Sequence, residues 1–356
     1  MRPLASPLPL TVEDRKDLIY ASCADHIERG AIDRLCDVLD ATPKAAGRRN
    51  RRGWTLLHLA AMANQDRAIK LLVSRAAQVS ACDQDGATPL HVASQHGHLD
   101  AMEALIDAGA ELDATDACAD TPLHVAAGSG RSFAAALLIA KGANPEPQAA
   151  LCAPMHAAAE KGHIAIITLL IKAGADVCVR DARQRSPLHL SALAGRTEVS
   201  RMLLFNGAEV DAADAGGITP LATCVQLGDK RLFKMLMERR ALVNMRDQRG
   251  ISPLHWAAIG GHGDLMVELL KSHASINARD GEGRTALMHA ASRGHGDLVE
   301  LLLTNSAQRA IVDADGHTAA HIAQDRGHAA IVAMLNDPRV DDPTPFGIAL
   351  VPAERV

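Results

Sequence analysis

Apolar residues along this chain fall into pairs of short stripes, each with the spacing of one helix face. In residues 83–115 the first stripe includes Leu90 and Ala93, and the second comprises Leu99, Met102, Leu105 and Ile106. Apolar residues three and four positions apart lie on one side of an α-helix. The pattern therefore predicts two short helices, each with one buried side.

Polar residues and glycines around these stripes predict where each helix begins and ends. The run Asp83-Gln84-Asp85-Gly86 is typical of a turn, because a carboxylate accepts nearby backbone N–H groups and glycine takes positive φ readily. Thr88 is a good N-cap, Pro89 suits the first helical position, and Gly97 suits a C-cap. Residues 83–115 thus predict a turn, a helix and a second helix.

The same segment recurs along most of the chain. Thr88-Pro89-Leu90-His91 returns thirty-three residues later as Thr121-Pro122-Leu123-His124. The proline position can be followed through Leu56, Pro89, Pro122, Pro154, Pro187, Pro220, Pro253, Ala286 and Ala319, with one step of thirty-two residues and all others of thirty-three. Nine repeats therefore tile residues 50–336, and their turns start near residues 50, 83, 116, 148, 181, 214, 247, 280 and 313.

Neither helix of a repeat is long enough to be stable alone, since isolated helices shorter than about 12–15 residues are marginal in water. Neighbouring repeats must stabilise one another, so the pattern predicts one all-α repeat solenoid. Residues 11–49 show the two-helix pattern without its turn and carry charged outer positions, as a capping repeat does. Residues 1–10 would form an N-terminal extension and residues 337–356 a C-terminal tail.

The T-P-L-H motif, the Gly-His pair between helices and the Gly-Ala after the second helix resemble those of ankyrin repeats. The resemblance covers roughly residues 11–336 and is plain in the run from Asp247 to Ala258. It implies an L-shaped unit of β-hairpin or turn, helix and helix, stacked into a curved solenoid. Hairpin tips and first helices would line a concave groove that binds a protein partner.

Composition narrows the class of protein. The formal net charge is −5, which favours neither nucleic acid nor an anionic membrane surface. The seven cysteines contain no C-x-x-C pair, which indicates reduced thiols in a cytosol-like compartment. The first residues carry no recognisable secretory signal, and the apolar run 133–140 is too short for a membrane helix. We expect a cytoplasmic protein, with the nucleus as an alternative, that is monomeric by itself.

Seventeen histidines suggest metal or catalytic chemistry, but twelve of them occupy two fixed positions of the repeat. The resemblance implies that the imidazole of the T-P-L-H motif bonds the threonine hydroxyl and nearby backbone; the structural motif residues are Thr88, His91, Thr121, His124, His189, His255 and His321. The remaining histidines are scattered and have no cysteine at ligand spacing, and no catalytic motif occurs. The sequence predicts no enzyme activity, no cofactor and no metal.

The positions that vary between repeats are the ones left to recognise a partner. In repeats five to eight they carry many arginines and only one acid, Glu282, which suggests a basic groove; the predicted partner-binding residues are Arg180, Arg183, Arg185, Arg246, Arg249, Arg279, Arg284 and Arg293. Arginine binds carboxylate and phosphate oxygens well, so the partner would carry an acidic or phosphorylated segment. Exposed cations without a binding role are the alternative explanation.

A second basic patch lies at the first turn and comprises Arg48, Arg49, Arg51, Arg52 and Trp54. Its density is typical of a nuclear localisation signal or a binding site. The alternative is a solvated tip in which Trp54 covers the junction with the capping repeat.

The fourth repeat is the least regular. Its turn aspartate, glycine and N-cap threonine are replaced by Gln148, Leu151 and Ala153, and the sixth repeat has Ala222 in place of the motif histidine. Loss of an N-cap costs about 0.5–2 kcal/mol. We expect fraying or a bend near residues 144–154, with faster amide exchange there than in repeats two and seven.

Three functions remain open at this point. The chain is predicted to be a non-enzymatic scaffold or adaptor that binds a protein through its tips and groove. It could instead recruit substrates to a separate enzyme, such as a ubiquitin ligase. A third alternative is a phosphorylated or nucleic-acid ligand, although the region lacks the aromatic residues that stack on bases.

Overall fold

The computed structural model describes residues 12–147 and 152–337, and the side chains from residue 18 onwards. The predicted extension (residues 1–10), the turn near residue 148 and the tail beyond residue 337 lie outside the described residues. The chain divides into an N-terminal body, residues 1–182, and a C-terminal body, residues 183–356. Each body is described by itself.

The N-terminal body begins with two helices that precede the first turn, α1 (Val12–Glu28) and α2 (Ile32–Ala41), followed by a 3₁₀-helix (Pro43–Gly47). Four helix pairs follow: α3 (Leu56–Met62) and α4 (Asp66–Ser74), α5 (Pro89–His96) and α6 (Leu99–Asp107), α7 (Pro122–Gly128) and α8 (Ser132–Ala140), α9 (Pro154–Lys161) and α10 (Ile164–Lys172). Helix α1 packs on α3 and helix α2 on α4, so this pair covers the first repeat.

The C-terminal body contains five further pairs: α11 (Pro187–Leu193) and α12 (Thr197–Phe205), α13 (Pro220–Leu227) and α14 (Lys230–Glu238), α15 (Pro253–Gly260) and α16 (Gly263–Lys271), α17 (Ala286–Arg293) and α18 (Gly296–Thr304), α19 (Ala319–Asp325) and α20 (Ala329–Leu335). First helices pack on first helices in one row, from α11 to α19. Each first helix also packs on its own second helix. The predicted all-α repeat solenoid is confirmed.

Small and medium apolar side chains fill the space between the helices. In the second repeat the predicted residues Leu90, Ala93, Met102 and Leu105 are buried, whereas Ile106 is only half-buried. Alanines complete this interface: Ala101 and Ala104 are also buried. Small side chains let two helices approach closely, which suits a stack of short helices.

The tips between repeats are turns, and the described residues contain no β-strand beyond one isolated bridge between Arg49 and Thr55. In each regular tip the aspartate carboxylate accepts two backbone N–H groups; Asp83 Oδ1 lies 2.9 Å from the nitrogens of both Asp85 and Ala87. Consecutive tips are joined by one backbone hydrogen bond, as from Gly281 N to Arg249 O at 2.7 Å. Turns therefore suffice to link the repeats.

Glycine is favoured at the tips for two reasons, positive φ and close approach, although Ala119 and Gln184 take positive φ at the same position of repeats three and five. Gly250 has a φ of +77°, and a Cβ there would lie 2.8 Å from the backbone nitrogen of Gly281 in the next tip. Gly316 in the last tip has a φ of +83°, but no described atom lies within 4 Å of its Cβ position. The two glycines differ only in whether another tip packs on them.

The motif histidine uses both ring nitrogens to hold one repeat to the next. His91 Nδ1 accepts the Thr88 N–H at 3.1 Å at the start of α5, and its Nε2 donates to Asp120 O at 3.0 Å in the following tip. His58 makes the same bonds, with Ala87 O at 2.9 Å. His255 bonds Ser252 N at 3.2 Å and Arg284 O at 3.1 Å.

These bonds require a neutral imidazole, because Nδ1 must accept while Nε2 donates. Burial lowers the pKa of His58, His91 and His124 below the usual value, and lowers that of His255 to about 4. Protonation would place a hydrogen on Nδ1 facing the backbone N–H of the N-cap. The link between repeats is thus stable only while the ring is uncharged.

Ala153 replaces the N-cap threonine in the fourth repeat and has no side-chain oxygen. His156 still accepts the Ala153 N–H at 3.1 Å, so one of the two cap interactions survives. The hydroxyl contact is lost. The expectation of fraying around residues 144–154 stays a prediction, since residues 148–151 lie outside the described part.

Replacing Gly250 by Ala should destabilise the chain more than replacing Gly316 by Ala. Both changes force an alanine into positive φ, at a cost of about 1–2 kcal/mol. Gly250→Ala also drives a Cβ into the backbone of the next tip, which adds about 1–3 kcal/mol. Urea unfolding at pH 7 measures both costs, and equal losses would contradict the close approach of consecutive tips.

Stability should fall as the pH drops from about 6.5, the ordinary pKa of histidine, towards 4, the pKa of folded His255. The folded pKa is depressed, so the unfolded chain binds the protons first. The neutral histidine contributes its full stabilisation above pH 6.5. Below that pH the free energy of unfolding falls, by about 3 kcal/mol for His255. Urea midpoints of wild type and His255→Gln at pH 7.5 and 4.5 measure this; the variant should lose less, and parallel losses would refute the argument.

Candidate functional site

Buried carboxylates lie beneath the last three tips of the C-terminal body. Asp247 Oδ1 accepts the N–H groups of Arg249 and Ile251, both at 2.9 Å, and the side chain is 2% exposed. Asp280 and Asp313 make the equivalent bonds in the next two tips. The second oxygen of each aspartate lies close to a nitrogen atom of another side chain.

The side chains that face these oxygens are those of two arginines and a histidine. Arg249 Nη2 lies 3.0 Å from Asp247 Oδ2, and its guanidinium lies 5.3 Å from the centre of the Trp256 ring. Arg284 contacts Glu282 Oε2 at 3.0 Å and Asp313 Oδ2 at 3.5 Å. These contacts hold both guanidinium groups at the tips.

His289 arises from a one-residue shift in the eighth repeat, which carries Met288 at the motif position. His289 stands one residue beyond the position from which a motif histidine bonds the N-cap, here Thr285, and its Nε2 instead lies 2.8 Å from Asp280 Oδ2. Burial would raise the pKa of Asp280, but bonds from His289 and from the backbone of Arg284 keep it below the usual value. Asp280 is therefore charged at neutral pH.

A cleft of about 700 Å³ opens between the seventh and ninth repeats. Its lining contains Arg249, Ile251 and Ile259 of repeat seven, Asp280, Gly281, Glu282, Arg284, His289, Ser292 and Arg293 of repeat eight, and Arg326 of repeat nine. Arg293 and Arg326 are exposed. Neither guanidinium has a hydrogen-bond or ion-pair partner among the described residues.

The charges around the cleft are balanced in number but not in position. The cleft and its edge contain four arginines and four carboxylates, those of Asp247, Asp280, Glu282 and Asp313. The side chains of the three aspartates are at most 5% exposed, and each bonds backbone N–H groups through one oxygen, whereas Glu282 is exposed. Arg293 and Arg326 stand away from these anions, so the accessible charge at that end of the cleft is positive.

A protein-family model described as "Ankyrin repeats (3 copies)" matches overlapping segments of this chain. The matches are residues 18–116, 80–149, 109–181, 153–214, 188–280, 221–308 and 254–343. The chain belongs to the ankyrin-repeat family. Ankyrin repeats are generally protein–protein interaction modules. No curated protein matches the chain significantly, and no helix in the described residues is long and apolar enough to cross a membrane.

The structure sorts the eight predicted arginines of this ankyrin-repeat chain into three groups. Arg249, Arg284 and Arg293 lie together in the cleft. The sequence prediction missed Arg326, which stands seven residues after Ala319, as Arg293 stands seven after Ala286. That shared position in the ankyrin repeat was the available signal, but the prediction stopped at repeat eight.

Arg246 and Arg279 donate hydrogen bonds to backbone carbonyls and do not line the cleft. Arg279 donates to Gly283 O at 3.1 Å in its own tip and to Val312 O at 2.8 Å in the next repeat. Arg246 donates to Arg279 O at 3.3 Å. The cation just before the turn aspartate thus ties one ankyrin tip to the next.

Arg180, Arg183 and Arg185 are also outside the cleft. Arg180 belongs to the N-terminal body, and the other two lie at the start of the C-terminal body. All three residues have interaction partners.

In the second basic patch, too, an arginine bonds the backbone of the next repeat. Arg49 donates to Gly53 O and to Cys82 O of the next repeat. Trp54 is half-buried and stacks on His58 with 5.9 Å between ring centres. Arg51 and Arg52 are exposed and line a pocket of about 350 Å³ with Asn50 and Tyr20. Burial raises the pKa of Tyr20, whose hydroxyl has no partner in the described residues.

Two groups of side chains in the described residues bring potential metal ligands within 4.8 Å of one another. The first is Asp120, His124 and Cys152. His124 Nδ1 already accepts the Thr121 N–H, and its Nε2 donates to Cys152 O at 2.5 Å. The imidazole therefore has no lone pair for a metal while the ankyrin repeats are linked. The second group, Asp313, Asp315 and His317, belongs to a tip whose Asp313 carboxylate caps its own backbone.

Replacing Arg279 by Gln should destabilise the chain, whereas replacing Arg293 by Gln should not. Arg279→Gln removes donors to two carbonyls in adjacent tips, at a cost of about 1 kcal/mol. Arg293 has no partner among residues 12–147 and 152–337, so the change in the free energy of unfolding should stay within about 0.5 kcal/mol. Urea unfolding of both single variants checks this contrast. A loss for Arg293→Gln as large as that for Arg279→Gln would show that the two arginines do not differ in this way.

Proposed function

We propose that this chain is a non-enzymatic scaffold or adaptor that binds a protein partner at the cleft between repeats seven and nine. The observation that carries the proposal is the pair Arg293 and Arg326, whose exposed guanidinium groups have no partner in the described part of the chain and lie beside the apolar side chains of Ile251 and Ile259. The surrounding tips supply further contact surface.

The chemistry of the cleft favours a segment that is both anionic and apolar. A guanidinium binds carboxylate or phosphate oxygens through two parallel hydrogen bonds, and Arg293 and Arg326 have their donors available. The isoleucine side chains offer apolar surface for one side chain of the partner. An acidic or phosphorylated peptide segment with a neighbouring apolar residue would use both.

The arrangement of the other polar residues supports binding over catalysis. Asp280, His289 and Ser292 all line the cleft, and the histidine is oriented by the aspartate. In the described structure, however, the Ser292 hydroxyl makes no hydrogen bond to the imidazole. A serine nucleophile needs that contact with its base.

Cysteine chemistry supports a reducing compartment such as the cytoplasm. The described residues include all seven cysteines, and none forms a disulfide. Burial raises the pKa of the Cys23 and Cys224 thiols, which keeps them protonated and poorly reactive.

Affinity capture with the full chain tests the proposal. The cleft variant is Arg293→Glu with Arg326→Glu, and the control variant is Arg231→Glu with Lys234→Glu on α14, which changes the charge equally at exposed positions of a second helix. Wild type and control should retain the same partner, and the cleft variant should lose at least about ninety per cent of it, an effect of about 1.4 kcal/mol.

Unfolding midpoints of both variants verify that the fold is intact. Capture should also weaken as salt rises from 50 to 300 mM, because exposed charges are screened over about 10 Å at 0.1 M. A partner that binds the cleft variant as well as wild type would refute the proposed site.

A further inference from the structure

The first tip carries an amide at the position where later tips carry a carboxylate. Asn50 occupies the place of the turn aspartate, which recurs at positions 83, 116, 181, 214, 247, 280 and 313. Asn50 Oδ1 accepts the N–H groups of Arg52 at 2.9 Å and Trp54 at 3.0 Å. Asp83 Oδ1 makes the same two bonds in the second tip. Asn50 therefore caps its turn without bringing a negative charge.

This exchange removes the anion that neutralises an arginine in another tip. Arg52 stands two residues after Asn50, as Arg249 stands two residues after Asp247. Arg249 pairs with Asp247 Oδ2 at 3.0 Å. The corresponding atom of Asn50 is the amide nitrogen, because its oxygen faces the two backbone N–H groups. Arg51 and Arg52 are exposed, and neither guanidinium has a hydrogen-bond or ion-pair partner within residues 12–147 and 152–337.

Tyr20 of α1 lines the same pocket of about 350 Å³ as Asn50, Arg51 and Arg52. Its hydroxyl oxygen is buried and has no hydrogen-bond partner in the described part of the chain. Burial raises the pKa of this phenol, so the hydroxyl keeps its proton at neutral pH and can donate it to an acceptor. An oxygen atom of a ligand would supply the partner that the hydroxyl lacks.

The described lining of this pocket offers many donors and no carboxylate. Two guanidinium groups, one amide and one phenol line it, and Arg48 and Arg49 add two positive charges to the same tip. Such a set of donors favours an anion. A phosphate monoester has three strong acceptor oxygens and a charge of about −1.5 to −2 at pH 7. A carboxylate offers only two oxygens and a single charge, so phosphate matches the lining better.

We propose that Asn50, Arg51, Arg52 and Tyr20 form a binding site for a phosphate group. The two guanidinium groups bind its oxygens and balance its charge, while the amide and the phenol supply neutral donors. The source is inorganic phosphate or a phosphorylated side chain, since both present the same oxygens. The site lies in the N-terminal body and does not depend on the cleft of the C-terminal body.

Isothermal titration calorimetry of the full chain tests the inference. The chain carries Arg293→Glu and Arg326→Glu in every titration, which removes the cleft as a second anion site. Inorganic phosphate and O-phospho-L-serine are titrated at pH 7.5 and 50 mM salt, with acetate as the carboxylate control. At least one phosphate probe should bind one-to-one with a Kd of about 1 mM or below, and acetate should bind at least about tenfold more weakly.

Asn50→Asp is the most informative variant, because it introduces the residue that later tips carry. The carboxylate can keep both turn bonds, so the urea midpoint should not change while phosphate binding weakens at least about tenfold. Asn277→Asp is the matched control. Asn277 Oδ1 also accepts a backbone N–H, from Gln308 at 2.8 Å, and the substitution adds the same charge in the C-terminal body. It should leave the phosphate affinity within about twofold.

Two further variants test the other donors. Tyr20→Phe removes a hydroxyl that has no partner in the described residues, so it should preserve the fold and weaken phosphate binding at least about threefold. Arg51→Gln with Arg52→Gln retains the two backbone carbonyls that accept bonds from Gln84. This double variant should abolish measurable binding.

Three results would overturn the inference: no saturable binding of either phosphate probe, equal affinity for acetate, or equal effects of Asn50→Asp and Asn277→Asp. Binding of inorganic phosphate alone would support the site and identify the free ion as its ligand. Equal or tighter binding of phosphoserine would support it and identify a phosphorylated side chain. Failure of the capture experiment at the cleft would not affect this result, since every titration lacks the cleft arginines.

Discussion

The bond pattern of one uncharged imidazole underlies the stacking of these repeats. A motif histidine accepts the backbone N–H at the start of its own helix and donates to a carbonyl in the following tip. One side chain thus caps a helix and joins two repeats. Because each helix pair is too short to be stable alone, the links between repeats decide whether the chain folds.

The two places where that histidine is missing have different consequences. Ala222 simply omits the ring in repeat six, and Thr219 caps α13 alone through its hydroxyl, which accepts the Ala222 N–H at 3.2 Å. In repeat eight the ring has moved to position 289, where it bonds Asp280 and contributes to the cleft wall. The departure from the regular pattern therefore coincides with the candidate site, as expected where a scaffold gives up a local stabilising contact for another role.

Much of the fold could be predicted from the sequence, because helix caps, tip glycines and apolar stripes act locally and recur in most of the repeats. The candidate site was harder to predict. Arg249, Arg284 and Arg293 were predicted from their positions, but Arg279 looked equivalent to them and bonds two carbonyls instead. Only the three-dimensional structure shows which guanidinium groups bond the next tip and which have no partner in the described residues. The sequence likewise shows the acids Asp247 and Asp313 without showing that they are buried beneath the cations.

The close approach of consecutive tips also constrains what can bind along them. Backbone hydrogen bonds of 2.7–2.8 Å join each tip of the C-terminal body to the next, so the rise per repeat is set by main-chain geometry rather than by the exposed side chains. Adjacent repeats stand about 10 Å apart, which is close to three residues of an extended peptide at about 3.3 Å each. A ligand in the polyproline II conformation, which has three residues per turn, would present every third side chain to successive repeats. Every third residue of the ligand would then determine selectivity. Substitutions of the tip side chains would change which ligand residues are preferred at these positions, but not the three-residue spacing.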